Sequence, residues 1–219
     1  MKYDVARNDI EVCKHNNFVY IRNYKCASTF FYWNFVKKFN WQEISYHDID
    51  WQQNHVFSHM LDPIERRHKG IAEKISMHGL SELFLNNDSF QQCFEYVCLL
   101  DKHTETYCDK FQDRVRQIDW IPLNRDHNEV IERTEKCLGQ QPKWNMSWVH
   151  YGDHSKISHD PRDSLKKQVE LKLQEYWDRQ CPPEWAQIYY RNDIKLYNDV
   201  VAGFNSQAST WNEITWLKR

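Results

Sequence analysis

The sequence predicts an α/β fold with three layers, a central parallel sheet between helices, and a helical C-terminal half. Three observations carry that expectation. Short runs rich in β-branched and aromatic residues, Phe18-Val19-Tyr20-Ile21 and His55 to Leu61, are each followed at once by helix-start chemistry. Strand-like runs come early and alternate with helical ones. The last third of the chain carries apolar residues at helical spacing, with Leu165, Val169, Leu173 and Trp177 on one face.

In chain order, Phe18 to Ile21 is the first strand and Arg22 to Lys25 the turn after it. Ser28 is placed to cap a helix in which Phe31, Phe35 and Phe39 recur every four residues. Trp41 to Tyr46 is a weaker strand and His55 to Leu61 a better one. Asp62-Pro63-Ile64-Glu65 supplies an N-cap, a proline at the first helical position and a glutamate at the third, so a helix should run from Pro63 to about Ser76. Phe90 to Leu100 reads as a helix, with β-branched and aromatic content that also suits a strand. Gln117 to Leu123 is a strand closed by Pro122. Asp126 caps a helix from about His127 to Leu138, stopped by Gly139 and Pro142. Trp144 to Ser158 has no clear period. Asp160-Pro161 begins the long amphipathic helix, and Pro182-Pro183 separates it from a last helix through about Val201. No repeat or linker divides the chain, so residues 1–219 form one domain.

Composition narrows the function. The 219 residues carry 29 Lys+Arg against 31 Asp+Glu, a net charge of -2 that argues against a nucleic-acid coat and leaves room only for a local basic site. Aromatic residues make up 15% of the chain, enough bulk for a sizeable core. With only 5 Gly, a Walker-type glycine loop is not available, which also disfavours an ATP-dependent kinase. The 7 Cys are an odd set without a C-x-x-C pair and read as reduced and structural. No apolar run approaches the length of a membrane span, and the N-terminus has no hydrophobic signal region. A soluble, cytoplasmic protein with no membrane partner is expected.

Two constellations carry chemistry. Lys25-Cys26-Ala27-Ser28-Thr29 lies between a strand and a helix, where unpaired backbone N–H groups, the positive end of the helix dipole, a lysine and two hydroxyls can surround a tetrahedral anion. The plainer alternative is that Ser28 only caps the helix and Lys25 is a solvated turn residue. The second, Leu61-Asp62-Pro63-Ile64-Glu65-Arg66-Arg67-His68-Lys69, also begins a helix and crowds Arg66, Arg67 and Lys69 into its first turns, where cations oppose the dipole unless an anion is bound. Its plainer alternative is a capped helix with a solvated basic face.

Together these segments resemble a known family. Tyr24-Lys25-Cys26-Ala27-Ser28-Thr29-Phe30 is similar to the 5′-phosphosulfate loop of sulfotransferases that use 3′-phosphoadenosine 5′-phosphosulfate. Leu61-Asp62-Pro63-x-x-Arg66 resembles their Arg-Asp-Pro-x-x-Arg element, which holds the 3′-phosphate. Tyr190-x-x-Asp193-Ile-x-Leu196-Tyr197 is similar to the Tyr-x-x-Asp-Tyr/Phe-x-Leu-Tyr segment of the carbohydrate-type branch. The three occur in family order over roughly Phe18 to Val200. The resemblance implies a P-loop-like sheet, sulfuryl transfer to a hydroxyl of a carbohydrate or small metabolite, and donor contacts from Lys25, Cys26, Ala27, Ser28, Thr29, Arg66 and Lys69. This chain departs from the pattern at Leu61, where the family has arginine, at Lys69, where it has serine, and at Tyr24, where it has proline. The first two departures support a competing expectation, a catalytically degenerate relative that binds an anionic ligand or a protein partner.

Sulfuryl transfer needs charge stabilisation and a base near the acceptor hydroxyl. Lys25 is the expected stabiliser. The resemblance places the base in or after the second strand, where Ile44-Ser45-Tyr46-His47-Asp48 offers His47, with Asp48 to orient it. His55 and His59 are the weaker alternatives. His150, His154 and His159 with Asp153 and Asp160 fit no zinc spacing, so no metal is expected and a mobile loop is the better reading. Trp144, Trp148 and Tyr151 suit either ring stacking on a ligand or the core.

Overall fold

The computed structural model describes residues 10–26, 28–37, 39–98, 102–123, 130, 132–134, 161–180 and 184–207. Strands β1 (Val12–His15), β2 (Phe18–Ile21), β3 (Gln42–Ile44), β4 (His55–Met60) and β5 (Asp119–Pro122) form one sheet in the order β3-β1-β2-β4-β5. The expected parallel sheet is corrected to a mixed one. β2, β4 and β5 are parallel, but β1 pairs antiparallel with both β2 and β3. Only Asn16 and Asn17 separate β1 from β2, and so short a connection can join only antiparallel neighbours. Asn16 takes φ 53°, the left-handed conformation such turns require and asparagine tolerates. The sequence reading assigned no strand before Phe18 because Lys14 and His15 interrupt the apolar run, yet Val12 and Cys13 are buried. Since β3 and β2 both oppose β1, the carboxyl ends of β2, β3, β4 and β5 lie along one edge of the sheet.

Both sheet faces are covered, and the period-2 alternation assigns each side chain. Val19, Ile21, Val56, Met60 and Trp120 point into one cluster. Tyr20, Phe57 and Ile121 point into the other. The second face is closed by helix α1, four α-helical residues (Ser28–Phe31) that continue as a π-helix (Tyr32–Lys37). The expected four-residue rhythm of Phe31, Phe35 and Phe39 is thereby altered. Phe31 and Val36, 3% and 2% exposed, share the cluster, and their five-residue spacing is the π repeat. The Phe35 side chain lies outside the described residues.

Helix α2 (Pro63–Met77) starts as expected, with the Asp62 carboxylate accepting from the N–H of Ile64 at 2.9 Å and of Glu65 at 3.0 Å. It is followed by α3 (Ser81–Asn86), unassigned from the sequence, then α4 (Asp88–Cys98), which resolves the Phe90 to Leu100 ambiguity as a helix, and α5 (Tyr107–Phe111). The C-terminal half supplies α6 (Pro161–Gln180) and α7 (Glu184–Gln207). Val169 and Leu173 of α6 are buried among Ile71, Ile75 and Phe84, so the predicted apolar face is real. Most of the expected helix from His127 to Leu138, with its cap Asp126 and its stops Gly139 and Pro142, lies outside the described residues. So do Trp144 to Ser158, Asp160 and Pro182-Pro183. Among the described residues, no helix is long and apolar enough to cross a membrane.

Gly70 lets α2 lie hard against the segment before α5. A Cβ at this position would stand 2.7 Å from the His103 carbonyl oxygen and 3.0 Å from Thr104 Cγ2. On helix propensity alone Gly70→Ala would gain about 1 kcal/mol. Here it must push backbone aside, and the expected outcome is a net loss of about 1–3 kcal/mol, read as a lower urea midpoint with an unchanged slope. A higher midpoint would contradict this packing.

Two buried histidines make stability depend on pH. Burial holds His59 well below the usual histidine range, and burial with the adjacent Arg67 charge takes His68 down to about 3. Between about pH 6.5 and 4 the unfolded chain binds protons that the native state refuses, so stability falls as pH falls through that window. His68→Gln is expected to remove close to one proton, about 1.4 kcal/mol per pH unit, from the slope of unfolding free energy below pH 6. An unchanged slope would show that His68 is not buried in its neutral form.

Candidate functional site

The turn after β2 is built by backbone contacts before any ligand is considered. Asn23, fully buried, donates from Nδ2 to the His59 carbonyl of β4 at 3.4 Å, and the Cys26 N–H returns to the Asn23 carbonyl at 3.2 Å. Between them Lys25 takes φ 63°, a left-handed conformation that is strained for a residue with a side chain. Cys26 is 0% exposed with Sγ 3.3 Å from Tyr107 Oη, and burial raises its thiol above the ordinary range. Cys26 is thus a packing residue, its sulfur against Tyr107 and its N–H turned back to Asn23. Ser28 is buried at the first position of α1. Ala27 and the Thr29 side chain lie outside the described residues.

Arg66 joins this turn to α2. It is 1% exposed, and its guanidinium donates to the carbonyls of Tyr24 at 3.1 Å, Glu105 at 2.5 Å and Lys102 at 3.2 Å while lying 4.8 Å above the Tyr107 ring. Three acceptors and an aromatic face occupy the donors that an external phosphate would need. Arg67 turns into the helical layer, paired with Glu95 at 2.9 Å and 4.6 Å from the Trp177 ring. Lys69, half-buried, pairs with Glu65 at 2.8 Å one helical turn earlier. Leu61, where the resemblance wants an arginine, is 5% exposed in the core.

The segment 102–108 is the functional surround that the sequence reading missed. Tyr107 Oη donates to the Leu61 carbonyl at 2.9 Å, accepts from the Leu61 N–H at 3.2 Å, and so closes the carboxyl ends of β2 and β4. Tyr190 Oη donates to the Thr104 carbonyl at 2.7 Å, and Asp193, fully buried, accepts from the N–H groups of Tyr107 and Cys108 at 2.5 and 2.9 Å. The third resemblance segment is therefore a brace for this platform. A signal existed in Thr106-x-x-Asp109, since Thr106 Oγ1 accepts from the Asp109 N–H at 3.0 Å as the cap of α5. Lys110 is buried beside it, 5.6 Å from the Tyr24 ring, and burial with the Arg66 charge pulls its ammonium down to about 8.

Lys25 Nζ lies 3.0 Å from Glu73 Oε2, and Lys166 of α6 pairs with the same oxygen. Burial lowers the Lys25 ammonium, against the Glu73 charge. Burial would raise the Glu73 carboxyl, but hydrogen bonds and charges from Lys166 and Lys25 override it and hold it at about 2. Lys25 and Lys166 thus share one carboxylate, whereas the buried Lys110 ammonium has no hydrogen-bond partner among the described residues.

His47 is exposed in a 3₁₀ turn (Tyr46–Asp48) after β3, with its N–H donating to Ser45 Oγ at 3.3 Å. It follows the carboxyl end of β3, on the same sheet edge as the Lys25 turn and two strands away from β2. Asp48 is also exposed. His55 sits at the amino end of β4, on the opposite edge, 3.5 Å from Asp119. His59 is buried, stacked 3.4 Å from the Phe31 ring, with Nε2 3.0 Å from Thr134 Oγ1. Neither alternative reaches an acceptor hydroxyl at the site edge. His150, His154, His159, Asp153, Trp144, Trp148 and Tyr151 lie outside the described residues.

The Arg66 geometry generates a test. Arg66→Lys keeps the charge but leaves at least one of the three carbonyls, of which that of Glu105 is buried, without its donor, so it should cost about 1–3 kcal/mol in denaturant unfolding. Unchanged stability would mean that the guanidinium is free for a ligand. No family model, curated protein or solved structure matches the chain.

Proposed function

We propose that this protein transfers a sulfuryl group from 3′-phosphoadenosine 5′-phosphosulfate to a hydroxyl of a carbohydrate or small metabolite, at a P-loop-like turn after β2. The observation that carries the reading is the position of Lys25. Its backbone lies in the turn between β2 and α1, at the carboxyl edge of the parallel strands where ligands of α/β sheets collect, with its ammonium 3.0 Å from Glu73 of α2. In the reaction the acceptor oxygen attacks sulfur in line, the bond from sulfur to the 5′-phosphate oxygen breaks, and the acceptor proton passes to a base. Lys25 offsets the charge growing on the leaving oxygen. His47 is the base this reading assigns, exposed on the same edge, and no metal enters the scheme.

The two ends of the donor fit unequally. The 5′ end meets Lys25, the N–H groups at the start of α1, and Ser28. The 3′-phosphate end meets an α2 start already capped by Asp62, an Arg66 engaged by backbone, and Lys69 as the cation within reach. That imbalance favours one second reading, a degenerate relative that binds an anionic ligand or protein partner without turnover.

Calorimetry separates them. Binding of 3′,5′-adenosine bisphosphate at least tenfold tighter than adenosine 5′-monophosphate supports the transferase, since one charge-assisted contact contributes about 1.5–3 kcal/mol. Equal affinities would remove 3′-phosphate recognition, and no binding of either would favour the second reading. Lys25→Ala is expected to lower transfer at least about 100-fold while the protein stays folded. Unchanged turnover would end the catalytic role.

A further inference from the structure

Glu73 is not explained by any role assigned so far. It lies on α2, and its Oε2 receives two ammonium groups from elements far apart in sequence, Lys25 of the β2–α1 turn and Lys166 of α6. Two cations converging on one oxygen is the arrangement that grips an oxyanion. The side chains of Lys25, Lys166 and Glu73 are 18%, 29% and 29% exposed, so solvent reaches the cluster, unlike the sealed guanidinium groups of Arg66 and Arg67. Lys25 is presented there by a left-handed backbone at φ 63°, a conformation costing of order 1 kcal/mol or more that a mere strut between helices would not need. Glu170, the other carboxylate facing Lys25, is already bonded to Lys167 at 3.2 Å.

We propose that Lys25 and Lys166 form a paired grip for a sulfate or phosphate oxygen, and that the Glu73 carboxylate is an internal stand-in displaced when such an anion binds. The inference rests on the reading that the turn after β2 is an anion site, and it adds a ligand and a competitor to that site. Lys166 supplies a second cation without drawing on Arg66. Glu73 keeps the two ammonium groups from repelling each other when no anion is present, and it sets a threshold that only a more highly charged oxyanion passes. A singly charged carboxylate ligand gains nothing by the exchange. A phosphate or phosphosulfate does.

The test is calorimetry on the full chain with two probes, inorganic pyrophosphate and 3′,5′-adenosine bisphosphate. Glu73→Gln, which removes the competitor, should bind both about tenfold more tightly. Lys166→Gln, which leaves Glu73 paired to Lys25 and so spares the fold, should bind both about tenfold more weakly, and Lys166→Arg should restore affinity. If either variant leaves both affinities within twofold of the parent, the paired grip is overturned, while the donor reading stands provided the nucleotide still binds. If pyrophosphate follows the expected pattern but the nucleotide binds no better than pyrophosphate, the grip stands and the donor reading fails. Absence of binding by either probe to the parent and to Glu73→Gln overturns both.

Discussion

Taking a guanidinium out of water is tolerable only when its donors find acceptors, and Arg66 finds three backbone carbonyls in two separate segments. Through the Tyr24 carbonyl it holds the turn that carries Lys25. Through Lys102 and Glu105 it holds the segment that delivers Tyr107 to the ends of β2 and β4. Gly70, one turn further along α2, keeps that segment close enough for the bonds to form. Tyr190 and Asp193 of α7 fasten the same segment from the other side. The sheet edge is therefore organised by polar contacts between elements that are distant in sequence, with the apolar clusters behind it.

This arrangement separates two roles that the motifs combined. The basic start of α2 suggested anion ligands, yet its arginines are consumed inside the protein and its N–H groups are capped by Asp62. Lys25 and Lys166 are both reached by solvent, and the Glu73 carboxylate lies between them. An anion arriving at this edge meets a preformed but occupied grip. Recognition then depends on the charge of the ligand more than on the shape of a deep pocket.

Much of this was legible in the sequence where one local rule decided the outcome. Asp62 and Pro63 mark the start of α2, and Val169 and Leu173 mark the inner face of α6. Phe18 to Ile21 and His55 to Met60 are strands as read. Where tertiary contacts decide, the reading fell short. β1 is a strand because a two-residue turn folds it back, despite Lys14 and His15. Phe31 and Val36 select a π repeat because the sheet face lies where it does. The site followed the same division. The proximity of the Lys25 turn to α2 was visible as two strand–helix junctions, but the fate of Arg66 depends on carbonyls 36 to 42 residues away, which no spacing rule reaches.

The central claim is that the turn after β2 is an anion site organised around Lys25, and amide NMR on the uniformly labelled chain tests it most directly. During titration with 3′,5′-adenosine bisphosphate, the account predicts saturable shifts at the amides of Lys25, Cys26, Ser28 and Thr29, with Lys166 on α6 responding in parallel. The Arg66 guanidinium resonances should stay fixed, because its carbonyl partners are not exchanged. Shifts centred on Arg66 and Lys69 with the β2–α1 turn silent would contradict it.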